Sequence, residues 1–183
     1  MPSPLAHVGA ALALVIALEP SGARVSWRVA LTAAFASVAP DLDILLAVVH
    51  PAGLAWHRGP SHSLVGAALI GAVCAWGARM RGRAAWSAVM GAALLHVVFD
   101  WSTGEPGAPA HYGVPWAWPI AGDKVIDPTP WFGAYKIDEA GFLANMWGPH
   151  AAPVYLWELG TVGALVGAGL AVRRARRGFQ RAA

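Results

Sequence analysis

Five long apolar runs, separated by polar segments, constrain the fold of this chain more than any other feature. Hydrophobic residues make up 57% of its 183 positions and charged residues 13%, and the mean hydropathy is +0.50. This balance is typical of a protein that lies in a lipid bilayer rather than around a soluble core. We therefore expect residues 1–183 to form one all-α domain, an integral membrane bundle of about five transmembrane helices.

The apolar runs predict helices from about Leu5 to Leu18, Trp27 to Val49, Ser61 to Ala78, Ala84 to Trp101 and Pro153 to Val172. Pro40 lies inside the second run and lacks a backbone donor, so it predicts a break or a kink there. Residues 102–151 form a Trp- and Pro-rich loop between the fourth and fifth helices, and this loop is longer than a plain connection should be.

The arginines are concentrated in three places, namely Arg24 with Arg28, the turn Arg79–Arg83, and the segment Arg173–Arg181. With five spans, all three lie on the same side of the bilayer, and the positive-inside rule assigns that side to the cytoplasm. The N-terminus and the long loop then face outward, and the C-terminus is cytoplasmic. The pI near 9.5 thus reflects orientation and contact with membrane lipids, and nucleic acid is not an expected partner.

One short segment places two imidazoles and a guanidinium side by side, with the sequence Trp56-His57-Arg58-Gly59-Pro60-Ser61-His62-Ser63. Its Gly-Pro pair predicts a turn, and Ser61 is the predicted N-cap of the helix that follows. His57 would then lie in the loop and His62 on the first helical turn, where the two rings can hold one metal ion. The alternative is a pair of histidines that are solvent-exposed or hydrogen-bonded.

Further candidate ligands lie near the same outer ends of the predicted helices: His7, Asp41, Asp43, His96, Asp100 and Glu158. His96 and Asp100 are four residues apart on one helix face, so both can contact a single ion or each other. Ionisable groups at membrane depth are costly when unpaired, and they are therefore functional candidates. Each of the five predicted helices brings at least one candidate ligand to one end of the bundle.

Simpler interpretations exist for individual residues. His7 could be an interfacial histidine, and Asp41 could cap the second half of the broken helix. Glu158 could pair with Arg58 across the bundle instead of binding metal. Because several such explanations would have to hold together, a metal site is the favoured hypothesis. The mixed nitrogen and oxygen ligands suit Zn²⁺ best, iron or manganese would also be accepted, and there are ligands for one to three ions.

In combination, the motifs resemble those of the bacterial inner-membrane metal-dependent hydrolase family: Pro40-Asp41-Leu42-Asp43, His57-Arg58-Gly59, Ser61-His62-Ser63, and His96 with Asp100. More remotely, the order of His, Asp and Glu residues is similar to that of the zinc-dependent phospholipase C and P1 nuclease superfamily, whose members cleave phosphodiesters. This resemblance implies that six residues of this chain are metal ligands: His7, Asp41, His62, His96, Asp100 and Glu158. It also implies that Asp43 and His57 lie near them.

The expected function is that of a membrane-bound metal-dependent hydrolase that acts on a phosphoester or lipid-linked substrate at the outer face of the cytoplasmic membrane. Metal-activated water would be the nucleophile, and Asp43, His57 and Arg58 are the candidate catalytic residues. Arg58, with Lys124 or Lys136, would bind the anionic oxygens of the substrate. Two alternatives are a metal or proton transporter and a non-catalytic membrane scaffold with a structural metal site. The sequence specifies no oligomeric state.

Overall fold

The structure is a computed structural model that describes residues 2–19, 24–45, 50, 57–103, 113–133 and 151–182. Its α-helices are α1 (Pro4–Leu18), α2 (Trp27–Ala36), α3 (Leu64–Gly77), α4 (Arg83–Trp101) and α5 (Ala151–Ala182). Short 3₁₀ helices occupy Ala39–Leu45 and Pro60–His62. The described residues contain no β-strand, only two isolated bridges, so the prediction of an all-α fold is confirmed.

Helix α4 lies at the centre of the helical core, where it packs against α1, α2 and α3, while α1 also packs against α5. Its buried face consists of small and β-branched residues: Ala88, Val89, Ala92, Ala93 and Val97. Small residues let the backbones approach closely, because a Cβ added at Gly71 of α3 would lie 2.8 Å from the Cα of Met90 in α4. This packing also positions His96 and Asp100, which lie in the last turns of α4.

Two helical segments are long and apolar enough to cross a bilayer, Arg83–Trp101 and Ala151–Phe179. Helices α1 and α3 are apolar but contain 15 and 14 residues, so they extend about 21–23 Å against a hydrocarbon core of about 30 Å. The expectation of five spans is therefore not supported. Large apolar side chains on these helices are exposed, as contact with lipid would require: Leu5, Leu69, Val73, Leu156, Trp157 and Leu170.

The second apolar run is interrupted near its proline, as predicted. The α-helix ends four residues before Pro40, however, and does not resume in the described residues that follow. Helix α2 ends at Ala36 instead of continuing to Val49, and the chain proceeds as the 3₁₀ helix Ala39–Leu45. The residue before a proline is pushed out of the α conformation, and Pro40 has no N–H to donate, so an α-helix does not propagate through this point. Residues 46–49 lie outside the described part of the chain.

The N-cap of α3 differs from its prediction. Ser63, not Ser61, has this role, because the Ser63 Oγ accepts a hydrogen bond of 2.9 Å from the backbone N–H of Gly66. Residues Pro60–His62 form a 3₁₀ turn, so His62 lies just ahead of α3 and not within its first turn. The hydroxyl of Ser61 is thereby directed elsewhere, toward a carboxylate of the candidate site.

Part of the long loop packs at the helix ends that carry the candidate ligands. Residues 113–133 are described, whereas the rest of the loop lies outside the described residues, at 104–112 and 134–150. The backbone N–H of Leu64 at the start of α3 donates to the carbonyl of Trp116 at 3.3 Å. The N–H of Phe132 donates to the carbonyl of Ser102, just after α4, at 2.9 Å. The described loop segment is therefore joined to both α3 and α4 next to the site.

Candidate metal centre

Four of the six predicted metal ligands converge near the start of α3 and the end of α4. Asp41 belongs to the 3₁₀ helix after α2, His62 precedes α3, and His96 and Asp100 lie in the last turns of α4. One ligand atom from each residue lies within 4.8 Å of the other three. The side chains of His62, His96 and Asp100 are 0% exposed and that of Asp41 is 13% exposed, so the cluster is almost closed to solvent.

The separations between these ligand atoms suit one tetrahedrally coordinated ion. The Nε2 atom of His62 lies 3.3 Å from both Asp41 Oδ1 and Asp100 Oδ2. The Nε2 atom of His96 lies 3.6 Å from Asp41 Oδ1 and 3.9 Å from Asp100 Oδ2. Nitrogen and oxygen ligands bound to zinc at about 2.0–2.1 Å in a tetrahedron are roughly 3.3–3.4 Å apart. Small side-chain movements would therefore bring all four groups onto a common ion.

Several buried polar atoms in this region have no hydrogen-bond partner among the described residues. They are both ring nitrogens of His7, the Nε2 of His96, and both carboxylate oxygens of Asp100. A buried polar group left without a partner costs about 1–3 kcal/mol, and a charged group costs more. A cation placed among these atoms could be bound by the carboxylate oxygens and by the unprotonated ring nitrogens, which have lone pairs to offer.

His7 reaches the cluster from the first turn of α1. Its Nε2 lies 3.5 Å from Asp100 Oδ1, the oxygen opposite the one that faces His62. Its ring stacks on the ring of His96, with the two ring centres 4.2 Å apart. Asp100 therefore directs one oxygen toward the four-residue group and the other toward His7. His7 therefore lies beside the four-residue group, in contact with both Asp100 and His96.

A backbone carbonyl sets the orientation of His96. The Nδ1 of His96 lies 2.8 Å from the carbonyl oxygen of Ser37, and because a carbonyl can only accept, Nδ1 carries the proton. The Nε2 atom is then unprotonated in the neutral ring and directed at Asp41 and Asp100. Metal-binding histidines are commonly held by such a bond at the other ring nitrogen. The early end of α2 produces this contact, because it places the Ser37 carbonyl beside α4.

Asp43 lies behind His62 rather than among the four converging ligands. Its carboxylate accepts a hydrogen bond of 2.8 Å from Ser61 Oγ and lies 2.7 Å from the Nδ1 of His57. It also lies 3.3 Å from the Nδ1 of His62. These contacts leave the His62 Nε2 for the ligand cluster, which is the arrangement of a carboxylate that orients a metal-binding histidine. Asp43, His57 and His62 also form a second, more exposed group able to hold a cation.

The electrostatics at the edge of the cluster favour positive charge. Burial would raise the pKa of Asp43, but hydrogen bonds and charge interactions with His57 and His62 outweigh it and hold that pKa well below its usual value. Burial would lower the pKa of His62, but hydrogen bonds with Asp100, Asp41 and Asp43 raise it well above the usual value. The carboxylates around His62 favour a positive charge, which either a proton or a metal ion can supply. The proton and the metal ion compete for the Nε2 atom of His62.

Arg58 faces Asp100 and is almost fully buried. Its Nε lies 3.3 Å from Asp100 Oδ2, and the residue is 7% exposed. Its backbone has a φ of +56°, in the left-handed region that costs a non-glycine residue roughly 1–3 kcal/mol. The contact with Asp100 is one that the sequence did not predict, since Arg58 was expected to face substrate or Glu158.

Lys124, which was expected to bind anionic oxygens of the substrate, lies in the long loop and contacts the backbone of His57. Its Nζ donates a hydrogen bond of 3.3 Å to the carbonyl oxygen of His57. Burial lowers the pKa of Lys124 and the charge of Arg58 lowers it further, while Asp43 opposes this shift. Lys136, the other predicted cation, lies outside the described residues. The exposed edge of the cluster is thus lined by Asp43, His57 and Lys124.

Glu158 is 2% exposed, but the structure does not bring it into either group of candidate ligands. Its Oε1 accepts a hydrogen bond of 2.8 Å from the backbone N–H of Ser3, and its Oε2 accepts one from the Ser3 hydroxyl. The carboxylate therefore joins α5 to the residue that precedes α1, one turn before His7. Sequence reasoning missed this Ser3 contact and the Ser37 carbonyl, because no periodic pattern reports a long-range partner.

No curated protein and no solved structure matches this chain. A family model does match, and it covers residues 1–176, which include all the candidate ligands. The name of that family gives a location in the inner membrane and no activity. This location agrees with the apolar helices and with the exposed apolar side chains of α1, α3 and α5. Since the match spans nearly the whole chain, the protein belongs to the YdjM inner membrane protein family.

Proposed function

We propose that this protein is a membrane-bound metal-dependent hydrolase that cleaves a phosphoester, in a soluble or lipid-linked substrate, at the outer face of the cytoplasmic membrane. The observation that carries the proposal is the convergence of Asp41, His62, His96 and Asp100, with ligand atoms within 4.8 Å of one another and buried polar atoms unsatisfied. Two imidazoles and two carboxylates suit zinc, and iron or manganese would be accepted by the same atoms.

A bound divalent ion would supply a water of lowered pKa and would stabilise charge that develops on phosphoryl oxygens. The residues of the chain would then orient the substrate and handle protons. Lys124 and Arg58 place two cationic groups beside the cluster, which favours an anionic substrate. His57, paired with Asp43 at 2.7 Å on the more exposed edge, is placed to accept or return a proton.

The positions of the arginines support the proposed orientation. The cluster lies at one end of α4, and Arg83 begins the same helix at the other end, next to Arg79 and Arg81. We propose that the arginine-rich end faces the cytoplasm and the cluster faces outward. A site at the outer interface would meet lipid headgroups and soluble phosphoesters.

Metal removal is the direct test of this function. The purified protein is expected to contain stoichiometric divalent metal, most of it zinc, by elemental analysis. Treatment with a chelator should abolish hydrolysis of a chromogenic phosphodiester and of phospholipid headgroups, and resupply of zinc, iron or manganese should restore it, because the metal provides the activated water.

The orientation is tested in the same assay with a membrane-impermeant phosphodiester. Intact spheroplasts should hydrolyse it and sealed inverted vesicles should not. Metal that co-purifies without turnover of any phosphoester would favour a structural metal in a scaffold. A protein that binds no metal after each ion is resupplied would contradict the proposal.

Substitution of Asp43 by Asn should weaken metal binding by roughly 10–100-fold, the usual effect of losing a group that orients a metal-binding histidine. The variant replaces a carboxylate that accepts from Ser61 and faces both His57 and His62. Competition with a fluorescent zinc chelator measures the change. Ser61→Ala removes only one of these contacts and should have a smaller effect. Equal affinities for wild type and Asp43→Asn would show that Asp43 does not orient His62.

A further inference from the structure

At the end of the bundle opposite the candidate metal centre, the structure contains a cavity with basic walls. It has a volume of about 840 Å³, within the range of ligand sites in proteins. Arg83 begins α4 and Asp100 lies 17 residues further along the same helix. At 1.5 Å per residue, the two sites are about 25 Å apart, so the cavity is separate from the candidate metal centre.

Among the residues that the structure describes, four arginines and a single glutamate are the charged residues that line this cavity: Arg28, Arg79, Arg81, Arg83 and Glu19. One carboxylate cannot neutralise four guanidinium groups, so the cavity carries a strong excess of positive charge. Arg28 donates a hydrogen bond of 3.1 Å to the carbonyl oxygen of Ala78. Arg81 and Arg83 are exposed, and their side chains make no hydrogen bond or ion pair with any residue that the structure describes.

The backbone between α3 and α4 is shaped to gather these arginines. Arg79 has a φ of +52° and Gly82 a φ of +82°, both in the left-handed region, so the chain reverses within a few residues. The turn is supported by the indole of Trp86, whose Nε1 donates to the Met80 carbonyl oxygen at 3.1 Å. Arg79 is strained in this conformation because it is not a glycine. Such strain persists only where the surrounding contacts hold the backbone in place.

The rest of the lining and its surroundings match the lipid interface. Val29, Met80, Ala84 and Ala85 supply apolar walls beside the arginines. Next to the cavity along the chain, Trp27 is 71% exposed and Trp76 is 76% exposed. Exposed indoles on apolar helices are typical of the headgroup level of a membrane. A phosphate would therefore meet guanidinium groups at the depth at which phospholipid headgroups lie.

From these observations we propose that this arginine-lined cavity binds a phosphate-bearing anion, specifically the headgroup phosphate of an anionic phospholipid. Guanidinium groups pair with phosphate through charge-assisted and often bidentate hydrogen bonds, and the apolar walls accept the glycerol region. A soluble phosphate compound has the same binding chemistry, and a comparison of lipid retention with phosphate binding separates the two sources.

The test compares wild type with Arg81→Gln/Arg83→Gln, in the full-length protein and in detergent. Native mass spectrometry after incubation with vesicles of equal parts phosphatidylglycerol and phosphatidylcholine reports which lipid is retained. Wild type should retain phosphatidylglycerol preferentially. The double variant should retain less phosphatidylglycerol by a factor of roughly ten or more, because two charge-assisted contacts are lost. Titration with inorganic phosphate, in the absence of anionic lipid, is the second measurement.

The matched control is Arg24→Gln/Arg174→Gln, which removes the same charge from exposed arginines that do not line the cavity. This control should behave as wild type. Phosphate binding that is lost in Arg81→Gln/Arg83→Gln, without any preference for phosphatidylglycerol, would support the site with a soluble ligand. The proposal would be overturned if wild type neither retained phosphatidylglycerol preferentially nor bound phosphate. It would also be overturned if the control lost as much binding as the double variant. If the double variant unfolds, the single Arg81→Gln variant replaces it, because its side chain is exposed.

Discussion

Replacement of Asp100 by Asn should abolish metal binding and, with it, hydrolytic activity. The carboxylate faces His62 Nε2 and Arg58 Nε, each at 3.3 Å, and directs its other oxygen at His7. An asparagine of the same shape cannot provide the negative charge that a divalent ion requires. We expect metal content and turnover to fall by more than roughly 100-fold, beyond the usual effect of changing a group that only orients a ligand.

The same variant should also lose stability, because Arg58 would be left buried beside a neutral amide. Breaking a buried ion pair by removing one partner costs about 3–5 kcal/mol. Thermal unfolding with and without added zinc separates the two effects, since a ligand stabilises only a protein that binds it. Zinc should raise the midpoint of wild type and of the control Asp123→Asn, whose carboxylate is exposed, and leave that of Asp100→Asn unchanged. A zinc-dependent rise in Asp100→Asn would refute its role as a ligand.

The second large effect is expected from Gly66→Ala, a change outside the cluster. An added Cβ would collide with the carbonyl oxygen of Pro60 and would lie 2.9 Å from the Pro60 carbonyl carbon. Both are backbone atoms of the turn that ends at His62, so the turn must move to relieve the contact. We expect a loss of about 1–3 kcal/mol of stability from this overpacking. Displacement of His62 should also weaken zinc binding by roughly 10–100-fold.

Gly77→Ala in the same helix is the matched control. Apart from its chain neighbours and the nearby backbone of its own helix, no described residue places an atom within 4 Å of the position that a Cβ at Gly77 would occupy. Alanine also has a higher helix propensity than glycine, by up to about 1 kcal/mol. Gly77→Ala should therefore keep the zinc affinity of wild type and be equally or slightly more stable. If Gly66→Ala binds zinc as tightly as Gly77→Ala does, the turn before α3 does not control the position of His62.

The sequence was most informative where a local rule relates position to geometry. The four-residue spacing of His96 and Asp100 predicts that they share a helix face, and Pro40 predicts the break that leads to Asp41. Both relations are present in the structure. The segment around His62 was recognised from its composition, although its cap was assigned to Ser61 instead of Ser63. Two serines two residues apart are equally good caps by local rules, and the Pro60–His62 turn decides between them.

Local rules did not predict the long-range contacts of individual residues or the lengths of the helices. Glu158 was predicted as a ligand because of its depth in α5, but its hydrogen bonds go to Ser3, far away in the chain. The expected five spans rested on apolar composition, which does not show where a helix ends. Helices α1, α2 and α3 contain 15, 10 and 14 residues, so none of them has the length of a span. Each ends at a turn or beside a segment that contains proline or several arginines.

The sequence by itself determined an all-helical membrane protein with a mixed histidine and carboxylate set near one end of its helices and arginines near the other. These properties follow from composition, hydropathy and local spacing. Only the tertiary structure decided which atoms meet: Asp41, His62, His96 and Asp100 in one group, Asp43 behind His62, and Arg58 against Asp100. The reason is that periodicity specifies a face of a helix, whereas its rotation and depth against its neighbours depend on packing around small residues of α4.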